Sequence, residues 1–490
     1  MSTPGEEIRN NRIKKLERLR IQNIDPYPER CSFILISIID VQNSLSKYIK
    51  SSRAVGIGGR VMAKREHGKS IFIDIFDGSG QFQLFIAEDR VGEKSFKQFA
   101  DFIDIGDFIG ARGKVFYTKR KEPTIEISQW EILSKSLLPL PEKWHGLLDV
   151  EGRFRKRYLD LVMNADVRAR FLMRSRIVAS IREFLQDKNY IEVETPILHA
   201  IAGGALARPF QTHHHALDQD FYLRIAPELY LKRLMIGGFQ KIFEIGRSFR
   251  NEGIDHTHNP EFTMLELYSA FETRDDLIRL THELFQITCK KLYKKTKFEF
   301  QDKEIDFTKF KTISFNDAME RYASMPMYNS KTKEDILITA KRFGVNPEKS
   351  DTKSKIADFI FKKIVRPKLI QPTFLIDHPL EISPLAKKNP TNSETVLRFQ
   401  YIVGGFELAN GFSELNDPID QAERFRAQEK LRGAGEGEAM SYDEDFVEAL
   451  EYGMPPAAGL GIGIDRLVML FTNTDNIKEV ILFPTMRPKQ

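Results

Sequence analysis

The chain has 490 residues, 41% of them hydrophobic and 29% charged, with a net charge of +5; it is long for one core and ordinary in composition, so two or three folded domains are expected and a disordered or fibrous protein is excluded. Its two cysteines, Cys31 and Cys289, cannot build a disulfide framework or a cysteine-rich zinc site and point to a reducing compartment. The longest apolar stretch near the start, Phe33–Ile39, is too short to span a bilayer, and no basic-then-apolar order surrounds Glu6 and Glu7, so a cytoplasmic location with no membrane partner is expected.

In chain order, Ile8–Ile21 comes first. Ile13, Leu16 and Leu19 recur at helical spacing among Arg9, Arg12, Lys14, Lys15, Arg18 and Arg20, which predicts an amphipathic helix with a basic face. Such a helix either docks through its three apolar residues or serves as a phosphate-contacting arm. From Ala54 to about Leu133 the period becomes two, through Val55–Ala63, Ile71–Ile75, Phe82–Ile86, Phe108–Val115 and Thr124–Ile132. Five strands with one helix, around Phe96–Phe102 after the third, fit the small Greek-key barrel that binds oligonucleotides and oligosaccharides. Phe72 is out of step with Ile71, Ile73 and Ile75, which predicts that it points outward.

Leu137–Pro141 reads as a linker, and Ile177, Val178, Ile181, Phe184 and Leu185 then mark one face of a long helix near whose start Asp166 falls. Tyr190–Thr195 alternates like a strand and stops at Pro196. Beyond Phe210, strands and helices mix without a βαβ rhythm, which argues against a doubly wound parallel sheet. Asp335–Leu369 reads as a small helical insert. His213, His214 and His215 are consecutive, so a strand would aim them at opposite faces, and no fourth metal ligand accompanies them.

Two segments carry chemistry. Phe243–Glu252 and His258–Phe262 flank a polar loop, predicting a long hairpin. A nucleotide site there needs a guanidinium for phosphate, an aromatic face for the base and an acceptor for its amino group; Arg250, Phe262 and Glu252 are of those types. Gly459-Leu-Gly-Ile-Gly-Ile-Asp-Arg466 lacks the G-x-G-x-x-G spacing of a dinucleotide loop. It reads instead as a strand whose glycines admit a ligand or a neighbouring backbone, with Arg466 at the start of a helix, placed to hold a terminal phosphate or lie across a base.

Together and in this order, Pro196 after its strand, the F-R-N-E…H-N-P-E-F hairpin and the glycine-rich strand ending in Arg466 resemble the three motifs of class II aminoacyl-tRNA synthetases. The preceding barrel resembles the anticodon-binding domain of the subgroup that charges lysine, aspartate and asparagine. The resemblance runs from about Val55 to Pro488. It implies an α+β chain with a basic helical arm (1–53), an OB-type barrel for the anticodon (54–136), a linker (137–149) and a catalytic domain (150–490). The last would hold a mainly antiparallel sheet flanked by helices, with the insert at about 330–370.

Ala226–Arg233, Met264–Tyr268 and Asn410–Asp417 are similar to the lysine-specific, bacterial type, whose reaction is ATP-dependent formation of lysyl-adenylate followed by transfer to tRNA(Lys). Carried over residue by residue, the resemblance implies Glu414 and Tyr268 on the ε-ammonium and Glu228 and Glu266 near the α-amino group. Asn410 and Arg250 would hold the α-carboxylate, and the Gly204 backbone would close the pocket. ATP would lie between Phe262 and Arg466, with Arg250 on the α-phosphate, His258 and Arg466 on the outer phosphates, and Glu407 as a Mg²⁺ ligand. Gln400 stands where a second glutamate is usual, and Phe406 where some relatives have arginine. Phe72, Gln83 and Glu122 match anticodon-reading positions, and dimer formation is implied around Tyr190–Pro196. The charge logic agrees: carboxylates suit an ammonium, so neutral side chains would be rejected by a factor of about 10⁴ or more, with ornithine the closer competitor at roughly 1–3 kcal/mol. Aspartate or asparagine specificity is disfavoured by Glu228, Tyr268 and Glu414, a tRNA-independent relative by the barrel, and a pure binding module by Arg250, Glu407 and Arg466.

Overall fold

Alternation along the first half of the chain becomes a closed barrel in the computed structural model, which describes residues 3–141, 149–325, 331–348, 351–433 and 438–488. The chain divides into two units, Met1–Leu148 and Asp149–Gln490. Most of the expected linker, residues 142–148, lies outside the described residues.

In the first unit, β1 (Val55–His67), β2 (Ser70–Phe76), β3 (Gln81–Ala87), β4 (Phe108–Tyr117) and β5 (Pro123–Ser134) close in the order β1-β2-β3-β5-β4. Ile57, Ile71, Ile73, Ile75, Leu84, Ile109 and Ile127 fill the interior, one from every second position, as the pleat requires. The N-terminal helix α1 (Pro4–Ile21) starts at a Thr3–Glu6 capping box and buries Leu16 and Leu19. Its Arg12 is consumed structurally, donating to the carbonyls of Ile105, Ser136 and Leu138. Lys15 Nζ is 2.7 Å from Asp104. The docking role of this helix is therefore real; Arg18 adds to it, its guanidinium 5.2 Å from the centroid of Phe102, while Arg9, Lys14 and Arg20 are exposed. A second helix, α2 (Glu93–Phe102), packs Phe96, Phe99 and Phe102 inward.

The second unit is built on an eight-stranded sheet. Its strands are β6 (Ile191–Glu192), β7 (Lys241–Phe249), β8 (Glu261–Ala270), β9 (Lys311–Ser314), β10 (Thr373–Ile376), β11 (Arg398–Val403), β12 (Phe406–Ser413) and β13 (Ala457–Gly463). Their spatial order is β9-β10-β11-β12-β13-β8-β7-β6, antiparallel except for the outermost pair at each edge. One face packs on α3 (Ala165–Asp187), α5 (Arg274–Tyr293) and α8 (Ile464–Phe471) through Phe285, Leu265, Leu460, Ile462 and Leu467. The opposite face carries the polar residues considered below, together with α4 (Glu228–Ile236). The insert forms α6 (Lys333–Arg342) and α7 (Lys353–Ile360), the latter continuing as a π-helical turn over Phe361–Val365.

The expected strand over Tyr190–Thr195 shortens to the two residues of β6. It lies at the sheet edge, pairs only with β7, and is followed by Pro196, which has no N–H for a ladder.

Candidate active site

Three adjacent strands set the floor of a cleft of about 560 Å³. Along β8, Phe262, Met264, Glu266 and Tyr268 occupy alternate positions on one face, while Leu265 and Leu267 enter the core from the other. Along β13, Gly459, Gly461 and Gly463 occupy that same face, and Leu460 and Ile462 the core side. A Cβ on Gly459 would stand 2.2 Å from Glu414 Oε1 and 2.4 Å from Tyr268 Cε1. Gly459 thus makes room for neighbouring side chains, whereas Gly461 and Gly463 line the cleft itself. On β12, Glu407 and Asn410 both line the cleft despite an odd spacing, because Leu408 is an extra residue in the pairing with β11. Such a bulge re-aims the residue beyond it.

The hairpin of β7 and β8 forms as expected, pairing Lys241–Phe249 with Glu261–Ser269. Arg250 lies past its end, its backbone N–H bonded to Pro260 O, and its guanidinium carbon is 5.0 Å from the centroid of Phe262. Arg250 Nε is buried without a hydrogen-bond partner. Burial draws its pKa down, opposed by the charges of Glu252, Glu266, Glu407 and Glu438. The intervening loop folds around Asp255, which accepts from the N–H groups of Thr257 and His258. His258 Nδ1 lies 2.8 Å from Asp255 Oδ2, and its Nε2 lies 3.1 Å from Arg466 Nη2. That pairing selects the tautomer with the proton on Nδ1. Arg466 also donates to Glu407 O. Its neighbour Asp465 accepts from Thr263 N and Arg174, tying α8 to the start of β8 and to α3.

Deeper in the site, Glu228, Glu266, Tyr268 and Glu414 are all buried. The Tyr268 hydroxyl donates to Glu266 Oε2 at 3.4 Å. Lys232 places its ammonium 2.6 Å from Glu228 Oε1 and 2.5 Å from Glu414 Oε2, the second an ion pair outside hydrogen-bond geometry. Burial pushes the carboxyls of Glu266 and Glu414 up to about 8; the charge of Glu228 adds to both and that of Glu244 to Glu266. Lys232, held by two carboxylates, titrates above its ordinary range despite burial. Asn410 accepts from Arg398 Nε at 2.8 Å, leaving the amide NH₂ as its donor to the cleft. Gly204 adopts φ +88°, and a Cβ there would meet Ala226 at 3.2 Å, so the chain approaches the cleft with backbone alone.

Of the catalytic-unit residues named from the sequence, Gly204, Glu228, Arg250, Glu252, His258, Phe262, Glu407, Asn410 and Arg466 line one cleft, with Gln400. Glu266, Tyr268 and Glu414 cluster around Glu228 and Lys232. Lys232, Arg398 and Asp465 were not singled out by sequence. Lys232 carried a signal, standing four residues after Glu228 on a helix; Arg398 is two residues before Gln400 on a strand. His213 bonds Asp220 at 2.8 Å, and His215 falls in the turn after its strand.

On the barrel, Phe72 is half-buried on the outer face, its ring 4.8 Å from Phe85, which is 6.2 Å from Phe116. Gln83 accepts from the Thr124 hydroxyl at 2.9 Å, and Glu122 is exposed. Phe85 and Phe116 extend the aromatic row beyond the one ring expected.

Family models place the two units. The model described as tRNA synthetases class II (D, K and N) matches residues 149–487, and that of the OB-fold nucleic acid binding domain matches residues 55–133. The lysine–tRNA ligase of Thermoanaerobacter pseudethanolicus is 48% identical over 501 aligned residues, covering 100% of both chains. That of Carboxydothermus hydrogenoformans is 49% identical, covering 99% of this chain and 98% of its own. That of Pelotomaculum thermopropionicum is 48% identical, with coverages of 99% and 96%.

Proposed function

Since this chain belongs to the class II tRNA synthetases, in the lysine–tRNA ligase family, we propose that the cleft binds ATP against Phe262 and L-lysine among Glu228, Glu266, Tyr268 and Glu414. The enzyme activates L-lysine with ATP and then transfers the lysyl group to the 3′ end of tRNA(Lys). The observation that carries the residue assignment is a charge count. Three buried carboxylates less the Lys232 ammonium leave two negative charges, matching the α- and ε-ammonium groups of lysine. An aspartate side chain would raise that count to three negative charges with no cation to meet it.

Glu414 and Tyr268 meet the ε-ammonium, and Glu228 and Glu266 lie toward the α-amino group. The Asn410 NH₂ and Arg250 hold the carboxylate, and the Gly204 backbone closes the end. Arg250 also reaches the α-phosphate, with its orphaned Nε as a spare donor. Phe262 and Arg466 sandwich the adenine, Glu252 accepts from its amino group, and His258 and Arg466 take the outer phosphates. One carboxylate oxygen of lysine attacks the α-phosphorus, the bond to the bridging oxygen breaks, and pyrophosphate leaves with that electron pair. The terminal ribose hydroxyl, usually the 3′, then attacks the lysyl carbonyl, AMP departs and the hydroxyl proton is lost. Neither step needs a side-chain nucleophile; the residues supply position and preorganised charge.

Magnesium favours oxygen ligands, usually one or two carboxylates plus substrate phosphates. Glu407 lines the cleft, and on the neighbouring strand Gln400 has a buried amide oxygen with no donor, so this pair fits an ion arriving with ATP. When bound, that ion neutralises charge on the phosphates. Among the described residues no group of three or more His, Cys, Asp or Glu side chains forms a protein cage.

For the anticodon we assign the barrel face of Phe72, Gln83 and Glu122, with Phe85 and Phe116 extending the stacking surface. A homodimer is proposed through the edge around β6, where Ile191, Ile197 and Leu198 are exposed. A cytoplasmic location accords with the two free thiols, and no described helix is long and apolar enough to cross a membrane. ATP–pyrophosphate exchange run with each amino acid tests the pocket. L-Lysine is expected to stimulate exchange and L-aspartate not; the reverse result would overturn the assignment.

A further inference from the structure

The wall of the cleft formed by the insert is not used by the roles above. Lys355, the adjacent Asp358 and Phe359, Lys362 and Arg366 recur every three or four residues along α7, its π-helical continuation and the first residue of the turn beyond it, and all five line the cleft. Ile356, Ile360 and Phe361 on the other side are buried in the core of the insert. A π-turn is rare, and here it precedes a 3₁₀ turn over Arg366–Lys368. That turn is fastened to the hairpin between β11 and β12: Gly404 N bonds Ile370 O at 2.8 Å and Gly405 N bonds Leu369 O at 3.1 Å. A Cβ on Gly405 would lie 3.3 Å from Pro367 Cα, so the two backbones touch closely. The same hairpin carries Gln400 and Glu407. Arg366 thereby shares the cleft lining with Gln400 and Glu407.

Its side chain lacks the partners expected of a structural arginine. Arg366 Nε is buried without a hydrogen-bond partner, and no carboxylate lies within ion-pair distance of the guanidinium among the described residues. Lys362, one turn earlier, is 2.7 Å from Asp358. The positive charge of Arg366 is felt at both Lys362 and Arg466. Guanidinium groups gathered with buried, unsatisfied donors are costly unless an anion joins them. Arg250, just past the end of β7, has the same unsatisfied Nε.

We propose that Arg366 is a further ATP-binding residue, donating from the insert to the β- and γ-phosphates and to the departing pyrophosphate. This rests on the ATP assignment made above and adds a second wall to it, from the insert. The guanidinium supplies fixed positive charge to the cleft that the neutral Gln400 also lines.

Calorimetric titration of the full-length chain with ATP, AMP and pyrophosphate separates the possibilities. For Arg366→Ala, affinity for ATP and pyrophosphate should fall roughly 10- to 100-fold, the scale of losing a hydrogen bond to a charged group. AMP affinity should stay within about twofold of the parent, since AMP has no outer phosphates, and that binding also reports an intact fold. Arg366→Lys should recover part of the loss. An unchanged ratio of ATP to AMP affinity in Arg366→Ala, whether both persist or both fall together, would overturn the proposal alone. Failure of the parent chain to bind ATP would overturn the active-site assignment and this inference with it.

Discussion

If Glu266 and Glu414 bind lysine as proposed, they make that binding depend on pH. Each carboxyl is pushed up to about 8 in the ligand-free site, by burial first and by neighbouring carboxylates second. Below that pH they hold protons, yet an ammonium is best met by ionised carboxylates, so binding lysine must release protons. Lysine affinity should therefore rise between pH 6 and pH 8 and level off above. Calorimetry in two buffers of different ionisation enthalpy would show the release; a buffer-independent enthalpy at pH 7 would contradict it. The linkage to folding has the opposite sense. A carboxyl whose folded pKa lies above its unfolded value stabilises the ligand-free protein at low pH, and that contribution declines as pH rises from about 4.5 toward 8. Gln400 offers the converse case, a neutral group where charge would help a cation. Gln400→Glu should lower the Mg²⁺ concentration for half-maximal exchange several-fold, while the buried, unpaired carboxylate lowers the melting temperature in the absence of Mg²⁺ and ATP. A variant with an unchanged Mg²⁺ requirement would show that Gln400 is no ligand. The acids of this site were readable as residue types in recognisable segments. Lys232 was readable only in part: its spacing from Glu228 is local, but its pairing with Glu414 depends on the fold bringing distant parts of the chain together.

At the scale of elements, the strand carrying Gly459, Gly461 and Gly463 shows why periodicity reveals some structure and conceals the rest. Glycine at every second position is visible in sequence, and it implies a bare strand face. What fills the space depends on register: Gly459 pairs with Tyr268 on one side and Phe412 on the other, two residues before Glu414. Gly459→Ala should therefore displace Glu414 and Tyr268 together. Overpacking of this kind costs about 1–3 kcal/mol of stability, and here the loss should fall on the lysine-specific groups. KM for lysine in the exchange assay should rise by at least tenfold, about 1.4 kcal/mol, with KM for ATP changed much less. Equal changes in both would mean general disruption of the sheet. The five barrel strands and the hairpin of β7 and β8 were legible because alternation and turn residues are local. The shortened edge strand and the extra residue at Leu408 were not, since a ladder ends or bulges according to its partner.

For the molecule as a whole, the unresolved question in the sequence was whether the N-terminal helix docks or binds phosphate, and the structure divides the labour by face. Leu16, Leu19, Arg12 and Lys15 are committed to the barrel unit. Arg9, Lys14 and Arg20 stay exposed, on a chain whose net charge is only +5. Exposed cations on the unit that matches the OB-fold nucleic acid binding domain are suited to the tRNA backbone, where contacts add affinity without reading sequence. Each phosphate contact contributes roughly 0.7–0.9 to the slope of log affinity against log salt concentration. Replacing Arg9, Lys14 and Arg20 by glutamine should thus flatten that slope by about 2 if all three engage. tRNA binding measured from 50 to 200 mM salt gives the slope, and lysine-dependent exchange, which needs no tRNA, should stay at the parent level. A slope equal to the parent's would leave the helix with docking as its whole role. A loss that also reached exchange would mean the substitutions had disturbed folding, because nothing in lysine activation involves this face.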